Sequence, residues 1–90
     1  MKKINRNKLP FKYHINFTII NPCIEDILYE LINFLEIENR FDGEFNHWEI
    51  CNKTITRINT IEEDIEELIN KGYIEKLKYT KYKIISHPWE

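Results

Sequence analysis

The stretch from Thr60 to Gly72 carries both of its own boundaries, and it constrains the fold more than any other part of the chain. Thr60-x-x-Glu63 has capping-box spacing, in which hydroxyl and carboxylate each satisfy a backbone N–H at a helix start. Ile61, Ile65, Leu68 and Ile69 then recur at i, i+4, i+7 and i+8, which is one apolar stripe of a helix. Gly72 ends it, because glycine accepts the left-handed conformation that closes a helix. A helix with one apolar stripe needs other elements to cover it. The next residues supply them: Ile74–Tyr79 and Tyr82–Ile85 read as two strands around Thr80-Lys81, a tight lysine-rich hairpin.

Upstream, Phe11, Tyr13, Ile15, Phe17 and Ile19 alternate with Lys12, His14, Asn16 and Thr18, a period of two that predicts a half-buried strand. Asn21-Pro22 ends it and opens a first helix, predicted from about Pro22 to Glu38. Ile24, Ile27, Leu28, Leu31, Ile32 and Leu35 form its apolar stripe, with Glu25 and Asp26 at the positive end of its dipole. Asp42-Gly43 is a turn signal and Glu44-Phe45-Asn46 a short strand. Asn46-x-x-Glu49 starts a short second helix from His47 to about Lys53, and Thr54 to Asn59 is a turn.

Ninety residues make one domain, which buries somewhat over ~60% of the unfolded chain's surface. The division expected is a basic arm over 1–9, a domain over 10–86 and a tail over 87–90. The 42% apolar content suffices for a core without metal or disulfide staples. Seventeen isoleucines with no valine or alanine, and ten lysines against three arginines, reflect A/T-rich codons of a low-G+C prokaryote or virus. No apolar run reaches the ~18 residues of a membrane span. The start, MKKINRNKLP, lacks the apolar run of a secretory signal, and the expected location is cytoplasmic. Cys23 and Cys51 form no CxxC pair, and whether they meet as a disulfide stays open. His47 and Cys51, four apart, lack a second pair at ligand spacing, so no metal is expected. One serine and two glycines leave little material for a nucleophile elbow or a phosphate loop. The expectation is a non-enzymatic protein without a cofactor.

From Phe41 onward the order of helix, turn, helix and hairpin resembles a winged helix-turn-helix domain. The strongest likeness lies in Asp64-Ile65-x-x-Leu68-Ile69-x-x-Gly72-Tyr73-Ile74, where a helix packs by one stripe, a glycine reverses the chain and two apolar residues enter the wing. With helix 1 the resemblance covers about residues 22–86. It implies an α+β fold, a winged helix-turn-helix with an additional N-terminal β-strand. It also implies a transcription regulator that binds double-stranded DNA, with helix 3 in the major groove.

The third helix departs from that pattern. With its isoleucines and Leu68 inward, its outer face presents Glu62, Glu63, Glu66, Glu67 and Asn70. Base edges are read mostly by Arg, Lys, Asn and Gln, and four glutamates beside phosphates gain nothing from counterion release. The net charge of −2 is segregated: residues 1–20 carry +5, residues 21–50 −7, residues 51–70 −3 and residues 71–90 +3. DNA contact is therefore expected from the wing (Lys76, Lys78, Tyr79, Lys81, Tyr82, Lys83) and the arm (Lys2, Lys3, Arg6, with Lys8). The bland readings are lysines that protect an edge strand and an arm that only solubilises. The alternative function is a protein-interaction module whose acidic helix 3 meets a basic partner. The large apolar face of Phe11, Tyr13, Ile15 and Phe17 needs a cover, which predicts a homodimer through residues 10–20. Trp89 is either a docking anchor or part of a loose tail.

Overall fold

The sheet is small and its order differs from sequence order. The computed structural model describes residues 1–14, 23–51 and 61–90. It comprises α1 (Ile24–Ile37), β1 (Glu44–Asn46), α2 (His47–Cys51), α3 (Ile61–Asn70), β2 (Ile74–Lys78) and β3 (Lys81–Ile84). The three strands are antiparallel in the order β1-β3-β2, so the hairpin's second strand is central. The fold class is α+β. No helix among the described residues is long and apolar enough to cross a membrane.

Local chemistry sets the helix ends. α1 starts at Ile24, and the Cys23 backbone N–H donates to the Asp26 carboxylate at 3.0 Å, which anchors the first turn. Asn21 and Pro22, the expected start, lie outside the described residues. At its other end Arg40 N–H reaches Leu35 O at 2.8 Å and Asn39 N–H reaches Glu36 O at 3.0 Å, with Asn39 at φ 57°. This is the paired closure of a Schellman motif, with asparagine as the left-handed residue. α3 closes the same way: Tyr73 N–H to Leu68 O and Gly72 N–H to Ile69 O, both 3.0 Å, with Gly72 at φ 83°. The expected glycine stop is thus present; Thr60 lies outside the described residues. α2 begins where Glu49 accepts the Asn46 N–H at 2.9 Å, as its cap-and-acid spacing predicts.

Ile27, Leu28, Leu31, Ile32 and Leu35 of α1, Ile65 and Leu68 of α3, and Phe45, Ile74, Tyr82 and Ile84 of the sheet form the core. Phe45 and Tyr82 are register partners on neighbouring strands and stack at 5.8 Å. The hairpin turns at Tyr79-Thr80, one residue earlier than expected, and a bulge between Lys76 and Lys78 shifts the pairing of β2.

Both chain ends differ from expectation. The alternating pattern predicted a strand from Phe11, but Phe11–His14 is a turn of 3-10 helix; Ile15, Phe17 and Ile19 lie outside the described residues. The turn brings two consecutive side chains, Lys12 and Tyr13, onto the one carboxylate of Asp26. A strand would send them to opposite faces. Residues 1–9 are not a free arm: Ile4 and Leu9 are buried, and the Asn5 N–H donates to Trp89 O at 2.6 Å. Residues 87–90 are not a loose tail, since Trp89 is 4% exposed and sits in the core. There it meets the stacked pair Tyr13 and Tyr29 edge-on, at 5.8 and 6.0 Å. His87 Nδ1 accepts the Trp89 N–H at 3.2 Å while Nε2 meets Lys2 O at 2.7 Å, so this ring clasps the two ends together. Apolar residues spread thinly at the two ends pool their burial, which sequence periodicity does not register.

Candidate functional site

α3 buries Ile65 and Leu68 and leaves Glu62, Glu63, Glu66 and Glu67 exposed, as the stripe predicts. None of the four is in an ion pair with a described residue. Lys71, the nearest cation in sequence, is instead directed to Glu25 of α1 at 3.3 Å. The face is therefore a run of carboxylates without an ion pair to any described residue, two i,i+4 pairs side by side, on a helix whose other side is fixed in the core.

Beside it lies the β2–β3 hairpin, the wing of the sequence expectation. Tyr79 at its tip is 90% exposed and has φ 45°, with Lys78 before it. The remaining lysines are less free than the sequence implies. Lys81 pairs with Glu44 at 3.2 Å, and Lys83 lies in register between Glu44 of β1 and Glu75 of β2. Residues directly opposite in antiparallel strands share a face. One face of the sheet thus alternates acid, lysine, acid. Lys76 is opposite Tyr82 and so belongs to the other face, the one turned toward α3.

A cleft of about 240 Å³ lies on that side, between α3 and the wing. Glu62 and Glu66 line it from the helix, Lys76, Tyr79 and Tyr82 from the hairpin, and His47 from the start of α2. Burial pushes the Tyr82 hydroxyl above its ordinary pKa, and the charges of Glu62 and Glu66 add to the shift. The His47 Nδ1 is enclosed without a hydrogen-bond partner among the described residues. Two contacts hold the wing tip at the junction of β1 and α2: His47 N–H to Thr80 O at 3.2 Å, and Thr80 Oγ1 to Asn46 Oδ1 at 2.8 Å. Arg40 braces α2 from below, forking onto Glu49 and donating to Glu44 O at 2.7 Å. That fork holds the Glu49 carboxyl below its usual range.

The N-terminal cations lie elsewhere. The Met1 nitrogen donates to Phe41 O at 2.8 Å, and Lys3 Nζ sits 4.8 Å from the Phe41 ring centroid. Arg6 donates to the Tyr29 hydroxyl at 3.1 Å and pairs with Glu36 at 3.5 Å. Lys2 and Lys8 are exposed. This segment adjoins the Glu44 end of β1, whereas the wing tip adjoins its Asn46 end. The N-terminal segment and the wing tip thus make their contacts toward opposite ends of β1.

Of the expected dimer face, Tyr13 is consumed within the chain, stacked at 4.4 Å on Tyr29 with its hydroxyl on Asp26. Phe11 is 75% exposed; Ile15 and Phe17 lie outside the described residues. The Cys23 thiol is free and exposed, while the Cys51 side chain lies outside the described residues. No group of three or more described His, Cys, Asp or Glu residues is placed to hold a metal ion. The exposed glutamates and the hairpin are legible in the sequence, whereas the cleft is not, because it forms only where the hairpin packs beside α3. Comparison with protein-family models, with curated proteins and with solved structures finds no match.

Proposed function

We propose that the chain is a winged-helix-like interaction module, without enzymatic activity, whose α3 face receives a basic segment of a protein partner. The element order and the β1-β3-β2 sheet are compatible with a winged helix, and on that reading α3 corresponds to the fold's recognition helix. The observation that carries the reading is the exposure of Glu62, Glu63, Glu66 and Glu67 together, with no ion pair to a described cation. Inserted in a groove of DNA, this face would meet phosphates of its own sign. Against lysine- or arginine-rich polypeptide it is complementary, and such complementarity steers encounter and selects partners.

The second reading is double-stranded DNA bound through the wing, and the exposed tip of Lys78 and Tyr79 supports it. It is the weaker one. Lys81 and Lys83 already face Glu44 and Glu75, and Ile4 and Leu9 hold the N-terminal segment against the core. Fluorescence anisotropy separates the two at one ionic strength, with a labelled oligolysine peptide and a labelled mixed-sequence duplex as probes. The peptide should bind and the duplex should remain free. Duplex binding that Lys78→Glu abolishes, with no peptide binding, would replace it with the DNA reading.

A further inference from the structure

We infer that the cleft between α3 and the wing is the anchor subsite of the acidic surface, shaped to take one arginine side chain of the basic partner, with Lys76 at its mouth as an internal competitor. The inference rests on the proposed function and specifies where on that face the partner is held.

Size comes first. At about 240 Å³ the cleft is smaller than the ~300–1,000 Å³ usual for small-molecule pockets, so it suits a single long side chain. Charge comes second. Glu62 and Glu66 are i,i+4 neighbours on one helix, which puts their Cβ atoms roughly 5–6 Å apart. A guanidinium carries five N–H donors in a planar fork and can bridge two carboxylates at that spacing; an ammonium acts as a point charge. The opposite wall is aromatic: Tyr82 is fixed by its stack on Phe45, and Tyr79 stands exposed at the rim. Planar cations stack on such rings, and the weaker hydration of guanidinium favours arginine over lysine there.

Lys76 gives the site a signature that a general acidic patch would lack. It lines the same cleft, from the strand position opposite Tyr82, yet forms no ion pair with a described residue. Its exposed ammonium offsets part of the charge of Glu62 and Glu66 while the cleft is open. An entering guanidinium must displace it toward solvent. Removing Lys76 should therefore strengthen binding, and strengthen it most for arginine.

The test uses the full chain and two probes of equal charge, labelled hexa-arginine and hexa-lysine, titrated by anisotropy at one ionic strength. Hexa-arginine should bind about tenfold more tightly than hexa-lysine, within the range of a desolvated cation–aromatic contact. Glu62→Gln with Glu66→Gln should erase that preference, whereas Glu63→Gln with Glu67→Gln should weaken both probes alike and preserve it. Lys76→Thr should tighten hexa-arginine a few-fold. Tyr79→Asn, chosen because asparagine tolerates the positive φ at that position, should reduce the preference. Circular dichroism confirms that each variant is folded. If both probes bind equally and all four glutamates contribute alike, the acidic-face reading stands and the anchor subsite is refuted. If neither probe binds, both fall.

Discussion

The hydroxyl of Tyr13 donates to the carboxylate of Asp26, joining the N-terminal segment to the first turn of α1. Lys12 Nζ reaches the same carboxylate at 2.7 Å and the Cys23 backbone N–H at 3.0 Å. Burial raises the Asp26 carboxyl, but these three donors outweigh it and hold the pKa at about 2. Burial together with Asp26 pushes the Tyr13 hydroxyl well above its ordinary value, so it remains a donor throughout the accessible pH range.

The pH dependence follows from that depressed carboxyl. A group whose folded pKa lies below its unfolded value of ~3.9 contributes stability above that value and loses it as pH falls toward the folded one. Asp26 should contribute roughly 2 kcal/mol at neutral pH, declining between about pH 4 and pH 2. Urea unfolding across that range should show the loss, and Asp26→Asn should remove most of this part of the acid dependence. An unchanged profile in the variant would mean that the Asp26 cluster does not hold the N-terminal segment.

Trp89 should behave as a core residue. Trp89→Ala should cost about 3–5 kcal/mol, the range for a large buried aromatic, against a total stability of order 5–15 kcal/mol for a domain of this size. A change below about 1 kcal/mol in chemical denaturation would return residues 87–90 to the status of a tail.

The two glycines should differ. Both have positive φ, but a Cβ at Gly72 meets open space, whereas one at Gly43 would lie 2.8 Å from Ile84 O. Gly72→Ala carries only the left-handed penalty, about 1–2 kcal/mol. Gly43→Ala adds a clash beside the Ile84 N–H to Gly43 O bond of 2.9 Å, so it should cost clearly more. Paired thermal melts read the order directly.

The acidic face should be a stability cost retained for binding. Glu62 with Glu66 and Glu63 with Glu67 are like-charge i,i+4 pairs, each unfavourable by a few tenths of a kcal/mol. Glu66 and Glu67 also lie away from the helix N-terminus, where they gain little from its dipole. Neutralising these two as Gln should raise the melting temperature slightly while weakening basic-peptide binding. A variant that lost both stability and binding would point to a structural role.

Much of the middle of the molecule is legible in the sequence. α1, β1, α2, α3 and the hairpin lie within one or two residues of their expected places over the described range, because each is bounded by a cap, a glycine or a change of period. The ends were illegible for a definite reason. Periodicity treats Phe11 and Tyr13 as equivalent members of one apolar face, but Tyr13 is selected by its hydroxyl, which Asp26 accepts, and Phe11 is left in solvent. Trp89 carries no period at all; its place is set by Tyr13, Tyr29 and the His87 clasp, all tertiary contacts. The wing lysines were visible as charges, but the cross-strand carboxylates of Glu44 and Glu75 appear only once strand order and register are known.

The central claim is that α3, rather than the wing or the N-terminal lysines, is the contact surface. Backbone amide chemical-shift mapping of the isotopically labelled chain, titrated with a basic peptide and separately with duplex DNA, tests it most directly. Saturable shifts are expected with the peptide over Glu62–Asn70 and at the facing cleft residues Lys76, Tyr79 and Tyr82, and none with the duplex. Shifts confined to Lys2, Lys3 and Lys78–Lys83 on adding duplex, with α3 silent toward the peptide, would contradict it.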